Sequence, residues 1–189
     1  MNLNKTEKDA IKKWTSPQMH QYRYIKNIIK GDYSGGLYDH YKEYADTLVQ
    51  LFDKYEDNTE GKTLYRGDVL ETDSSQISEE EIYNNYLINN PIGKCIKLED
   101  TILSFTLSKE IAIKSYTNSD KNKEESTPTI LYILTKRKST FLDISDYSEL
   151  PHEKEVLCNI NIRFEIVNIE EKENNSLIYY LEECKSEYN

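Results

Sequence analysis

Cysteine and histidine are scarce in this chain of 189 residues and basic side chains are outnumbered by acidic ones, and each of these closes a route to function. The three cysteines, Cys95, Cys158 and Cys184, are odd in number, widely spaced and without a CxxC pair. His20, His40 and His152 are scattered in the same way. A zinc site or any other bound metal is therefore not expected. A disulfide framework is not expected either, and reduced, buried or incidental thiols are the simpler reading. Lys and Arg number 24 against 34 Asp and Glu, a net charge of −10. A phosphate-backbone binder needs a basic face, so no nucleic-acid partner is expected. No apolar run reaches the length of about 18 residues that a membrane span requires. The opening stretch MNLNKTEKDAIKKW lacks the apolar core of a secretory signal, so no export address is read there. Gly35-Gly36 reads as a turn, and there is no glycine-rich dinucleotide fingerprint and no internal repeat.

What is present is length enough for one domain with a proper core, and a change of hydrophobic period along it. Residues 1–60 read as mainly helical and 61–189 as mainly strand. In GLYDHYKEYADTLVQLFDKY, Leu37, Tyr41, Tyr44, Leu48, Leu51 and Tyr55 recur at helical spacing, opposite Asp, Glu and Lys. MHQYRYIKNIIK carries Tyr22, Ile25 and Ile29 on one face and ends at Lys30-Gly31, a plausible stop. ISEEEIYNNYLI offers a further helix, with Ser78 as its N-cap. KTLYRGDV, ILSFTLS, TILYILT, STFLDI, EVLCNINIRFEIVNI and SLIYYLEE are rich in β-branched and aromatic residues and read as strands. Ile160, Ile162, Phe164 and Ile166 alternate with Asn161, Arg163 and Glu165, as in a half-buried strand. The polar loops 117–129 and 143–153 are long for a compact domain, which favours a functional role.

LYRGD, residues 64–68, has three readings: a strand end with a surface charge, an adhesive Arg-Gly-Asp tripeptide, or an arginine placed to hold an anion. HEKEVLC, residues 152–158, puts Glu153 and Glu155 two apart at the mouth of a strand. In extended geometry both carboxylates project from one face, repel, and raise at least one pKa. Among 34 acidic residues such a triplet also arises by chance, as a solvated strand edge. Between these stretches lies Ser104-Phe105-Thr106, in an apolar strand.

Arginine, then serine, then the carboxylate pair, in this order and context, resembles the arginine-specific mono-ADP-ribosyltransferases, the toxin and ecto-enzyme group with an Arg, Ser-Thr-Ser, Glu-x-Glu signature. LYRGD looks like that family's aromatic-Arg-Gly strand. ILSFTLSKEIAIKSY resembles its Ser-strand followed by a short helix, and HEKEVL is close to its Glu-x-Glu-Val-Leu. YRYIKNIIK sits where the family has a Tyr-x-x-Ile-Asn helix. The likeness covers residues 10–170. The departures are Phe105 in the middle of the Ser-Thr-Ser motif, where Thr106 keeps a hydroxyl, and Lys26 at the helix asparagine, with Asn27 adjacent.

The resemblance implies an α+β fold, with N-terminal helices and two packed β-sheets forming a cleft for NAD, which serves as a substrate without a metal. It implies that Glu155 stabilises the oxocarbenium ion formed as nicotinamide leaves, and that Ser104 orients that carboxylate. Arg66 would bridge the diphosphate with its planar fork, and Gly67 would let the backbone approach. Thr106 and Tyr22 fall at further cofactor positions. Tyr116 is a candidate for stacking on nicotinamide or an ordinary core tyrosine. Glu153 would bind the acceptor arginine and withdraw its proton, since a guanidinium with a pKa above about 12 is otherwise no nucleophile. Tyr147 would be the aromatic contact of the acceptor-recognition turn.

The partner implied is a target protein bearing an arginine. The chain is expected to be monomeric, alone, with a delivery component or as part of a larger toxin, and to act in the cytosol, including another cell's, as a bacterial toxin or effector; a phage enzyme would read the same. An NAD glycohydrolase on the same fold, a catalytically silent module and an adhesive tripeptide protein are the rival readings.

Overall fold

The computed structural model describes residues 1–32, 38–69, 79–116, 129–172 and 176–184. Among the described residues five α-helices and eight strands are formed, and the chain divides into two compact units, each assembled from three stretches of sequence.

The first unit comprises 1–61, 98–105 and 139–162. It opens with α1 (Lys5–Trp14), which neither its charge-rich sequence nor its position advertises. A capping box starts it: the Asn4 side chain accepts from the Glu7 amide at 3.0 Å, and Glu7 accepts from the Asn4 amide at 2.8 Å. Glu7, Ala10, Ile11 and Trp14 are its buried face. α2 (Met19–Lys30) and α3 (Tyr38–Lys54) match the expected helices. Gly31 ends α2 at φ 85°, a left-handed cap that glycine adopts without strain. From the expected stripe, Tyr41, Leu48 and Leu51 are buried, joined by Ala45 and Phe52, whereas Leu37 lies outside the described residues. These side chains share one core with Ile11, Trp14, Ile25, Ile102, Leu142, Ile144 and Leu157. The last four come from the strand part of the unit, where β6 (Glu155–Cys158) lies between β3 (Leu103–Thr106) and the antiparallel β5 (Phe141–Asp143). β6 is buried at all four positions, so its side chains face packed neighbours on both sides.

The second unit comprises 62–97, 106–138 and 163–189. Its strands run in the order β2 (Cys95–Ile96), β7 (Phe164–Glu171), β8 (Leu177–Glu183), β4 (Thr129–Lys136), β1 (Leu64–Val69). β4 and β8 are parallel and the other pairs antiparallel. Alternation sorts β4 into two faces. Leu131 and Ile133 pack with Ala112 and Ile178, while Tyr132 meets Tyr179 at 6.1 Å between ring centroids. α4 (Glu79–Asn89) adds Tyr86, edge-on to Tyr179 at 5.6 Å. Ser78, its expected N-cap, and Gly35-Gly36 lie outside the described residues, as does nearly all of the loop 117–129.

Three expectations are corrected. The strand read through Ile160–Ile166 is broken: β6 ends at Cys158 and β7 begins at Phe164. Asn159 uses its side chain to accept the Ile160 amide at 2.8 Å, and Asn161 takes φ 67°, so the backbone turns where the alternation continued. The thiols are not all reduced, because Cys95 and Cys184 form a disulfide across 89 positions, whereas Cys158 is buried and keeps its thiol. The Glu153/Glu155 pair is not extended, as its local geometry shows next.

Candidate functional site

Glu155 is the first residue of β6, and, 5% exposed, it is with Glu7 one of the two buried charged residues among those described. Two donors converge on one of its oxygens. The Ser104 hydroxyl of β3 donates to Oε1, and the Trp14 indole Nε1–H donates to the same atom at 3.0 Å. An sp2 carboxylate oxygen offers two lone-pair directions, so Oε1 is saturated. Burial pushes the Glu155 carboxyl above its ordinary range, the two donors pull it back, and the charge of Glu153 pushes it up again.

Glu153 reaches the site by a turn. Residues Pro151–Glu153 form a 3-10 turn and Lys154 sits at φ 50°, ψ 47°, a left-handed conformation that disfavours a residue with a Cβ. The period-two argument for a shared face therefore fails, and the kink at Lys154 sets the direction of Glu153. Glu153 is half-buried, and burial raises its carboxyl while the charge of His152 lowers it. The segment before it is pinned to α1: the Glu149 amide donates to Thr15 Oγ1 at 2.9 Å, and the Tyr147 hydroxyl donates to the Met1 carbonyl at 2.5 Å. Lys8 lies 5.8 Å from the centre of the Tyr147 ring. The hydroxyl of the expected acceptor-contact residue is thus engaged within the unit.

Tyr22 of α2 meets Trp14 edge to face, 4.7 Å between centroids and 72° between planes. Lys26, at the asparagine position of the resemblance, pairs with Glu99 at 2.5 Å and lies 5.5 Å over the Tyr22 ring. Glu155 and Tyr22 are therefore bridged by Trp14, a residue that sequence reading missed. Trp14 sits in a stretch read only for the absence of a signal peptide. The signal that finds it is Asn4-x-x-Glu7 followed by Glu7, Ala10, Ile11 and Trp14 at helical spacing.

The remaining candidates belong to the second unit. Arg66 lies in β1 opposite Tyr132, its side chain 12% exposed and 3.9 Å from the Asp68 carboxylate. Tyr132 shares a 2.5 Å hydroxyl–hydroxyl contact with Tyr86 and is driven well above the ordinary tyrosine pKa, chiefly by burial. Gly67 is buried opposite Leu131. Thr106 is fully buried, and its hydroxyl accepts the Ser108 amide at 3.1 Å, stabilising the turn into α5 (Lys109–Ile111). Tyr116 closes the π-helical turn Ala112–Tyr116, and its side chain lies outside the described residues.

No protein-family model and no curated sequence matches the chain. Solved structures do. The ADP-ribosyltransferase Vis of Vibrio splendidus, in complex with agmatine, superposes with a TM-score of 0.70 at 18% identity, over 99% of this chain and 78% of that one. The C3 exoenzyme of Clostridium limosum gives 0.68 at 17% identity, over 97% of this chain and 87% of its own. Exoenzyme S of Pseudomonas aeruginosa, bound to carba-NAD in complex with human 14-3-3 protein beta, gives 0.65 at 16%, over 98% and 78%. The chain has the fold of these ADP-ribosyltransferases.

Proposed function

We propose, from the premise of that shared fold, that this chain cleaves NAD between nicotinamide and ribose and passes ADP-ribose to an arginine side chain of a target protein. The observation that carries the reading is the buried Glu155 carboxylate, held by Ser104 and Trp14 through a single oxygen, with Glu153 delivered beside it by a left-handed residue. A fixed anion in a water-poor setting stabilises a developing cation far better than a mobile one in water. As the C1′–N bond breaks, its electron pair leaves with nicotinamide, and positive charge grows at the ribose against Glu155. Glu153 takes a proton from the acceptor guanidinium as the nitrogen so freed attacks C1′; the raised carboxyl of Glu153 makes it a better base than an ordinary glutamate.

Arg66 would hold the diphosphate, with Gly67 admitting it to the backbone. Thr106, Tyr22 and Tyr116 would complete the cofactor contacts, and Tyr147 the acceptor contact. Two neighbours fit this reading: one binds agmatine, which carries a guanidinium, and one binds carba-NAD. A bacterial toxin or effector role in a recipient cell's cytosol follows from the same likeness, with the target protein and any delivery component as partners.

The test is incubation with labelled NAD and a guanidine acceptor such as agmatine. Glu155→Gln should abolish both transfer and NAD hydrolysis. Glu153→Gln should lose transfer to the guanidine and retain hydrolysis. Full transferase activity in both variants overturns the proposal, and free ADP-ribose as the sole product would make the chain an NAD glycohydrolase.

A further inference from the structure

Trp14 is the single tryptophan of the chain, is 2% exposed, and is the last residue of α1. α1 is fixed at both ends. At its start the Asn4–Glu7 box is extended by Glu7 itself, which accepts from the Tyr55 hydroxyl at 2.9 Å and pairs with Lys54 at 2.5 Å. At its end Thr15 donates to the Ile11 carbonyl at 3.0 Å and accepts the Glu149 amide. The indole between these anchors is held edge to face by Tyr22. Its one donor is spent on Glu155, 141 positions along the chain.

We infer that Trp14 is a positioning residue: with Ser104 it locks Oε1 of Glu155, fixing the carboxylate plane and leaving Oε2 as the oxygen presented to the ribose. The inference rests on the ADP-ribosyl-transfer reading for what Oε2 meets, but not for the lock itself. A serine hydroxyl rotates about its C–O bond and can follow a turning carboxylate. An indole N–H is rigid with its ring and cannot, so the second donor supplies the orientation that the first alone would not. Among the described residues Oε2 receives no hydrogen bond of its own, which is the asymmetry such a lock produces. The ionisable groups around it are Glu153, whose charge acts on Glu155, His152, which acts on Glu153, and Lys26, over the Tyr22 ring.

Two measurements test this. The first needs no substrate and no change at Trp14: indole emission is followed against pH in the native chain and in Glu155→Gln. The native emission should titrate with the Glu155 carboxyl, and that transition should vanish in Glu155→Gln. Identical titrations in the two proteins overturn the lock. The second is Trp14→Phe, which keeps an aromatic ring and deletes the donor. NAD cleavage should lose about tenfold or more in kcat, with KM for NAD within about twofold. The acid limb of the rate profile should move to higher pH, because a donor to the ionised form has gone. An unchanged kcat and pH profile in a folded Trp14→Phe overturns the positioning role. Absence of any NAD cleavage in the native chain would instead sink the proposed function, while the emission titration would still decide the lock.

Discussion

Ser104 and Glu155, 51 positions apart, meet on neighbouring strands with the serine hydroxyl donating to a carboxylate oxygen that the indole of Trp14 also holds. The arrangement spends two donors on one acceptor and buries a charge to do it. Such a contact is costly for folding, because it takes a carboxylate out of water.

Ser104→Ala therefore removes a hydrogen bond to a charged acceptor, an interaction of about 1.5–3 kcal/mol. If that stabilisation serves the transition state, NAD cleavage falls about 10- to 150-fold. NAD affinity, measured by calorimetry, should change little, since the serine hydroxyl donates to the Glu155 carboxylate. A loss confined to affinity would assign Ser104 to binding instead.

Glu155→Gln should stabilise the protein at neutral pH. Burial raises the folded-state carboxyl above its ordinary value of 4.5, so between that value and the raised one the folded chain keeps a proton that the unfolded chain releases. Stability then falls as pH rises through this window and stays lower above it. Glutamine carries no charge to bury, and its carbonyl can accept both donors. Melting temperatures should exceed the native ones at pH 7–8, by about 2–4 °C for each kcal/mol relieved, and the gap should close below the window. A gap that widens in acid would contradict the burial argument.

The disulfide makes a separate forecast for the second unit. Cys95 and Cys184 close a loop of 89 positions, and such cross-links typically contribute about 2–4 kcal/mol. Cys95→Ser and Cys184→Ser should each lower the urea midpoint to that of the reduced native chain. Thiol titration of the unfolded protein should count one free thiol before reduction and three after it.

Much of this architecture was legible because local chemistry and tertiary packing agreed. α2 runs to Lys30 and stops at Gly31, where side-chain period and left-handed cap point to the same boundary. β1, β4 and β8 fall where β-branched and aromatic residues cluster, for the pleated surface rewards those shapes. The failures have equally local causes. Alternation continues through Ile160 and Ile162, but Asn159 and Asn161 offer the backbone a turn that the hydrophobic pattern does not record. The geometry of Glu153 hinges on Lys154, and no propensity marks a lysine as left-handed. The pairing of Cys95 with Cys184 is a long-range fact that spacing alone could not supply. Trp14 was hidden because the charged face of α1 masks its apolar one in a linear reading, though Asn4 and Glu7 spell the cap.

The seat for the carboxylate draws on positions 14, 104 and 155, so it closes late in synthesis. A ribosome finishes α1 long before it supplies the acid that the indole will grip. Fragments that stop short of β6 can carry α1, α2 and α3 and still lack the acid that the indole holds.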